Sequence, residues 1–433
     1  MTMTIEELYS IFLEHPVITT DSRDCPAGSI FFALKGASFD GNAYALKALE
    51  LGCSYAVIDE AEYATDVRCI LVDDVLTTLQ QLARHHHRTL GTPVIGVTGT
   101  NGKTTTKELI AAVLSEKYNV LYTQGNFNNH IGVPKTLLQL RPEHEIAVVE
   151  MGANHPGEIK TLVNIVEPDY GIITNVGMAH LEGFGSFEGV IRTKGELYDY
   201  LRTKQGAKVF IHADNEHLMN IAHGLDLVKY GVENTSGCSV TGSVVKCAPF
   251  LTFKWGSGLT QQYEVQTHLI GAYNIYNMLA AATIGLHFGV TEEQVTHALS
   301  NYIPSNNRSQ LTVTEHNKLI VDTYNANPTS MMAALKNFRD MDVTPKMAIL
   351  GDMRELGTVS ADEHQKVVDF LARENINNVW LVGTEFGKTK CDYRKFADVE
   401  AVKAELLQQK PEGMYILIKG SNGIKLFQLP ELL

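Results

Sequence analysis

The sequence predicts an α/β protein of three domains. A small N-terminal αβ domain covers 1–86, a central domain with a mainly parallel sheet covers 87–305, and a C-terminal, Rossmann-like doubly wound sheet covers 306–433. Three observations support this. A short apolar run at Val94–Val97 leads through a glycine-containing loop into helical apolar spacing at Leu109, Ile110, Val113 and Leu114. Further apolar runs at Ile146–Val149, Gly171–Thr174 and Lys208–Ile211 repeat the strand-then-helix alternation of a parallel sheet. From Asn306 the alternation restarts, with runs at Leu319–Val321, Met347–Leu350, Val379–Val382 and Tyr415–Ile418. A chain of 433 residues suits two or three domains of about 100–200 residues each.

In the first domain, Ile5–Phe12 reads as a helix, Ser29–Leu34 as a strand, Ala43–Leu51 as a helix and Tyr55–Ile58 as a strand. Between them lies a polar cluster: Thr20, Asp21, Ser22, Arg23, Lys35, Gly36 and Asp40. Hydroxyls, an arginine and a lysine on adjoining loops suit a diphosphate or sugar ligand. Turn chemistry with a solvated arginine explains the same residues, and taken alone it is the stronger reading.

The central domain carries the chemistry. Thr98-Gly-Thr-Asn-Gly-Lys-Thr-Thr-Thr106 departs from the usual P-loop spacing, because Val97 stands where the first glycine would fall. The parts still form a P-loop ATPase-like phosphate cradle. Gly99 and Gly102 let backbone N–H groups of the Gly99–Thr105 segment approach phosphate oxygens, and the helix N-terminus adds partial positive charge. Lys103 can reach terminal phosphates, and the Thr104 hydroxyl can bind Mg²⁺. Ligands of open parallel sheets sit beyond the carboxyl ends of the strands. Glu150 and His180 follow two such ends and are candidate metal ligands. Each also has a plain structural alternative, a helix cap or a core histidine. Asn126, Asn128 and Asn129 follow the Val120–Tyr122 strand and suit either substrate amides or a turn. Lys194 reads as lying at the start of a helix, where its positive charge opposes the macrodipole. The run Val265–Thr291 lacks Asp, Glu, Lys and Arg, and reads as a turn plus a buried helix rather than a membrane span.

Composition narrows the classes. A net charge of −13 leaves no global basic field for nucleic acid. The six cysteines are scattered without a C-x-x-C pair, which argues against a disulfide framework or a zinc site and fits a reducing compartment. The start, Met1 to Glu7, has no basic flank and no long apolar core, so no signal peptide is expected and the expected location is the cytoplasm.

Taken together, these segments resemble the Mur ligase family in order and over essentially the whole chain. The residues that carry the resemblance are Thr98–Thr106, Gly125–Pro134, Glu150-Met-Gly-Ala153, Asn175–Glu182, Thr193-Lys-Gly-Glu196, Tyr273–Ala281, Tyr324-Asn-Ala-Asn-Pro328 and Leu350-Gly-Asp-Met353. Tyr324–Pro328 and Gly351-Asp-Met-Arg-Glu-Leu-Gly357 resemble most the members that add D-alanyl-D-alanine. The Asp-Asn-Pro-Arg-type segment of diaminopimelate- or lysine-adding members is absent. There are two departures: Asn422 ends Lys419-Gly-Ser-Asn422 where the family has arginine, and Tyr273 precedes Asn274 where it has histidine.

The resemblance implies an ATP-dependent ligase that joins UDP-N-acetylmuramoyl-tripeptide to D-Ala-D-Ala through an acyl phosphate, giving the pentapeptide precursor of peptidoglycan. It implies ATP on Gly99, Thr100, Asn101, Gly102, Lys103, Thr104 and Thr105, with Asn277, Asn325 and Asn327 near adenine and ribose and Arg308 on the phosphates. Two Mg²⁺ sites are implied, one at Thr104 and Glu150, the other at His180 and a carbamate on Lys194. Ser22, Arg23, Lys35 and Gly36 would meet the UDP moiety, and Asn126, Asn128 and Asn129 the substrate. Small-molecule substrates, no nucleic acid, no membrane insertion and a monomeric chain complete the expectation. Two rivals are a folylpolyglutamate-synthetase-like ligase, against which the N-terminal domain with Asp21-Ser-Arg23 speaks, and a phosphate-loop nucleotide switch without ligation.

Overall fold

The computed structural model describes residues 3–258, 262–304 and 310–433. Three parallel-rich sheets follow one another along the chain. The first has four parallel strands in the order Ile18–Thr19, Ile30–Phe32, Tyr55–Ile58, Cys69–Leu71. The helix Ile5–Glu14 opens it with a capping box between Thr4 and Glu7. A longer helix, Val75–Leu90, closes it, starting on Asp74 as N-cap and stopping at Gly91 in the left-handed conformation. This helix was not anticipated. Its run His85-His86-His87 is polar, yet His86 and His87 are buried and bonded, His86 to the Tyr9 hydroxyl at 3.1 Å. Position 86, the expected domain division, falls inside it. Leu79, Leu82 and Ala83 share one apolar cluster with Leu137, Leu162 and Val163 of the next domain.

The second sheet has nine strands. From edge to edge they are Tyr263–Ile270, Phe250–Gly256, Val240–Cys247, Asp226–Gly231, Lys208–His212, Tyr170–Ile173, Val94–Thr98, Ile146–Glu150 and Val120–Tyr122. All pairs are parallel except the two formed by Phe250–Gly256 with its neighbours. The central strands are apolar throughout because helices cover both faces. Alternate residues serve opposite cores: Ile95 and Val97 meet Leu109, Ile110 and Met278, whereas Val94, Ala147 and Val149 meet Leu162 and Leu197. The last four strands of this sheet in chain order were missed, and one expectation is corrected. Residues from Val265 to Ile270 are a strand, not a turn, with Val265, Thr267 and Leu269 buried in alternation. The helix expected after it is present as Asn274–His287 and is apolar on nearly every side.

The third sheet has six strands, ordered Gln310–Val313, Lys318–Asp322, Tyr415–Lys419, Lys346–Gly351, Val379–Val382, Arg394–Phe396, and only the first pair is antiparallel. Separate apolar clusters lie on its two faces. Ile270, at the end of the middle sheet's edge strand, is buried in one of them, so the second and third domains share a packed seam.

Leu109, fully buried beneath the phosphate-loop strand, tests this packing. Leu109→Ala should cost about 2–5 kcal/mol and lower the urea midpoint of the middle domain. An unchanged midpoint would contradict the assigned core.

Candidate active site

The strand Val94–Thr98 lies between Tyr170–Ile173 and Ile146–Glu150, in a register that places Val97 opposite Glu150 and Thr98 opposite Ile173. Three strand ends therefore open level with one another onto one cleft of about 1060 Å³. The turn out of the central strand depends on glycine. Gly99 has φ 143°, and a Cβ there would meet Thr174 Oγ1 at 2.1 Å. The loop is tied to the neighbouring strand end. Thr100 N donates to Asn175 O at 2.9 Å, Asn101 N donates to Asn175 Oδ1 at 3.0 Å, and Thr174 Oγ1 donates to Asn101 O at 2.6 Å. Gly102, at φ 76°, caps the helix Lys103–Leu114.

Lys103 Nζ donates to the loop's own carbonyls, Gly99 O at 2.8 Å and Thr100 O at 3.0 Å, so it lies across the cradle. Thr104 is buried. Glu150 is 1% exposed. Its Oε1 accepts from Asn128 Nδ2 at 2.8 Å, and its Oε2 is buried without a hydrogen bond. A hydroxyl and an orphaned carboxylate oxygen at the mouth of a phosphate cradle form the hard donor set of Mg²⁺, which takes few protein ligands and shares the rest with phosphates and water. Among the described residues no three His, Cys, Asp or Glu side chains gather as a ready-made metal cluster. The residues fit the ion.

His180 lines the cleft in the left-handed conformation, with Nδ1 bonded to the Glu355 carboxylate of the third domain. Burial lowers its pKa below the ordinary histidine value, despite the carboxylate. Lys194 requires a correction. It does not open a helix: the helix runs Phe187–Thr203 on Ser186 as N-cap, and Lys194 sits well inside it. The macrodipole argument therefore does not apply. The constraint on its charge is burial. Lys194 is 2% exposed, its Nζ donates to Ala153 O at 3.1 Å and lies 5.2 Å from the Phe184 ring centroid. Desolvation first, and the Lys103 charge second, hold its pKa well below the ordinary lysine value. It stands behind the cleft wall rather than among the lining residues.

The expected nucleotide and substrate residues divide. Thr100, Asn101, Gly102, Lys103, Thr104, Thr105, Asn126, Asn128, Asn129, Asn277 and Asn325 line the cleft, with Glu150 and His180. Asn277 Oδ1 is already taken by the Thr106 hydroxyl at 3.1 Å. Asn129 Oδ1 accepts from Gly132 N, the first residue of the next helix, at 2.8 Å. Asn327 caps the helix Pro328–Asp340 and donates from Nδ2 to Asn101 Oδ1 at 2.8 Å, so it braces the loop across the domain seam. Arg308 lies outside the described residues. Ser22, Arg23, Lys35 and Gly36 do not line the cleft. Arg23 is 87% exposed and bound to Asp21, and Lys35 bridges Asp59 at 2.9 Å and Glu60 at 2.7 Å. Their charges are partnered by carboxylates, which raise both pKa values.

Some contributors escaped the sequence reading, and others appear there only as motif residues without a role. Lys107 is wholly buried on the phosphate-loop helix and donates to Thr123 O at 2.6 Å, while Thr123 Oγ1 accepts from Glu150 N at 3.0 Å. Lys419 forms a buried pair with Asp322 at 2.6 Å at the cleft's third-domain wall. His212 and Asn215 line the cleft beyond another strand end, a place the strand-end rule would have found. Tyr273 and Asn274 line the cleft also, and Asn422 is exposed with Arg354 beside it, donating to Gly423 O at 3.1 Å.

Comparison with known proteins follows this architecture. Residues 16–87 match the Mur ligase family, catalytic domain; residues 97–285 the Mur ligase middle domain; and residues 307–422 the Mur ligase, glutamate ligase domain. The chain is 35% identical to UDP-N-acetylmuramoyl-tripeptide–D-alanyl-D-alanine ligase of Bacillus subtilis, over 95% of this chain and 92% of that protein. The crystal structure of MurF from Acinetobacter baumannii superposes with a TM-score of 0.86 at 30% identity, covering 95% of this chain and 92% of that one. The MurF ligase of Thermotoga maritima in complex with ADP gives 0.86 at 25% identity, with 97% of each chain covered. The whole chain, in all three of its domains, belongs to the Mur ligase family.

Proposed function

We propose that this chain is an ATP-dependent amide ligase that adds D-alanyl-D-alanine to UDP-N-acetylmuramoyl-tripeptide, releasing ADP and phosphate and yielding the pentapeptide precursor of peptidoglycan. One observation carries the reading. The cleft of a chain similar along its length to ligases of that name gathers a phosphate loop, a carboxylate with an unused oxygen and an imidazole from three adjacent strand ends, under a wall supplied by the third domain.

The peptide carboxylate is a poor electrophile. Its oxygen attacks the γ-phosphorus of ATP, ADP departs, and an acyl phosphate remains. The amine of D-Ala-D-Ala then attacks the acyl carbon, and phosphate leaves from the tetrahedral intermediate. Little of this needs covalent participation by the protein, so positioning and charge neutralisation supply the acceleration. Lys103 leaves Gly99 O and Thr100 O and turns to the β- and γ-phosphates. Thr104 and Glu150 would hold one Mg²⁺, and His180 with a carbamylated Lys194 a second. Mg²⁺ bound there supplies electrostatic neutralisation of the phosphoryl oxygens. Asn277 and Asn325 face adenine and ribose, and Asn327 holds the loop against the third domain. Arg308 is assigned to the phosphates by resemblance alone. Asn126, Asn128 and Asn129 border the acceptor peptide. For Arg23 and Lys35 to meet a diphosphate, each must exchange its present carboxylate partner. The division into 1–86, 87–305 and 306–433, a cytoplasmic location and action as a monomer belong to this proposal; no helix among the described residues is long and apolar enough to cross a membrane.

Carbamylation of Lys194 rests on burial. A neutral amine adds CO₂ and releases one proton, and burial, by lowering the amine's pKa well below the ordinary lysine value, favours the neutral form that this step needs. Lys194→Ala should lose activity, with partial recovery on adding short carboxylates. Wild-type enzyme depleted of CO₂ should slow and recover with bicarbonate. Full activity in Lys194→Ala would end the claim.

Incubation with ATP, Mg²⁺, the UDP-muramoyl tripeptide and D-Ala-D-Ala should give a product with the mass of the pentapeptide, and phosphate only when both acceptor and dipeptide are present. Lys103→Ala should lower the rate about 10²–10³-fold or more, on the scale of a lost charge-stabilising donor. Steady phosphate release without either substrate would favour a nucleotide switch.

A further inference from the structure

His180 and Glu355 are 175 residues apart and come from different domains, yet the imidazole Nδ1 is bonded to the Glu355 carboxylate. The contact is built rather than incidental. Both residues occupy the left-handed backbone region, His180 at φ 50° and Glu355 at φ 62°, which side-chain-bearing residues seldom adopt. Their two segments also meet through the backbone, where Glu182 N donates to Glu355 O at 3.2 Å. Nearby, Met178 N donates to Thr329 Oγ1 of the third domain at 3.1 Å, so the chain on both sides of His180 is seated on that domain.

A carboxylate can only accept a hydrogen bond. A neutral imidazole held by one through Nδ1 therefore carries its proton on Nδ1 and presents the Nε2 lone pair elsewhere. His180 lines the cleft. We propose that Glu355 is a positioning residue that sets the tautomer and ring orientation of His180 from across the domain seam, so that Nε2 is ready as a ligand only when the third domain is docked on the middle one. The proposal rests on the role given above to His180. It makes the seam part of the active site: the domain that supplies the Asn325 wall also completes the metal-binding imidazole. Outer partners of ligating histidines act this way, and their loss costs about 10–100-fold in metal affinity or activity.

The test uses the full chain with ADP present, ¹⁵N-histidine labelling and the His180 resonance assigned by its disappearance in His180→Ala. Wild type should show His180 protonated on Nδ1. Glu355→Ala should shift it toward the Nε2-protonated form, raise the Mg²⁺ concentration giving half-maximal ligation about tenfold or more, and lower kcat with little change in KM for D-Ala-D-Ala. Glu355→Gln, which keeps an acceptor oxygen, should retain the Nδ1 tautomer and recover much of the rate. A merely structural contact would move none of these readouts in that graded way. If His180→Ala abolishes ligation while Glu355→Ala keeps the wild-type tautomer and Mg²⁺ dependence, the pairing is overturned and the reading of His180 stands. Full ligation by His180→Ala overturns both.

Discussion

The register of three parallel strands governs the molecule. With Val97 opposite Glu150 and Thr98 opposite Ile173, the phosphate loop, the carboxylate and the segment leading to His180 emerge at one level. A parallel pair shifted by one residue would send each strand's side chains to the opposite face. The alternating burial of Val94 and Ile95, and of Ala147 and Val148, in different cores blocks that shift. The same packing that fixes the fold thus fixes where charge can be handled. At about 1.5–3 kcal/mol per large apolar side chain buried, the two cores outweigh the cost of leaving Glu150 Oε2 buried and unsatisfied, about 1–3 kcal/mol.

The site is also poised between domains. Asn327 meets Asn101, Glu355 meets His180, and Ile270 enters the third domain's core. Lys103 meanwhile bonds its own loop's carbonyls. A nucleotide's phosphates compete for that ammonium with charge-assisted bonds stronger than those to neutral carbonyls. A nucleotide there would therefore draw Lys103 from its present partners. Lys194 is constrained in a related way: its seclusion from water, not its place along a helix, pushes the amine's pKa down.

Much of this was legible in the chain itself. Central strands buried on both faces are unbroken apolar runs, and the loop's glycines and Lys103 declare a phosphate cradle before any coordinates. What was hidden has physical causes. The strand Val240–Cys247 buries only Val240, and Thr241-Gly-Ser243 separates that residue from the next valines, so no run announces it. The last turns of the helix Val75–Leu90 carry three histidines that look solvated, yet His86 and His87 are buried through specific hydrogen bonds. The helix around Lys194 starts well before it, at Phe187, and Gly189 weakens the helical signal of that first part; Gly189 is there because a Cβ would meet Phe184 O at 2.1 Å. Glu355 lies in the Gly351–Gly357 segment, but its pairing with His180 is not legible in spacing, since only tertiary docking brings the two together. The resemblance alone gives the N-terminal cations Arg23 and Lys35 a UDP ligand, and in the structure Asp21, Asp59 and Glu60 partner them.

The central claim is that the cleft lets a carboxylate capture the γ-phosphoryl group before the amine arrives. The most direct test labels the terminal carboxylate of the tripeptide with ¹⁸O and weighs the phosphate released during ligation. Transfer through an acyl phosphate predicts one ¹⁸O atom in each phosphate. Unlabelled phosphate accompanying pentapeptide formation would contradict the account.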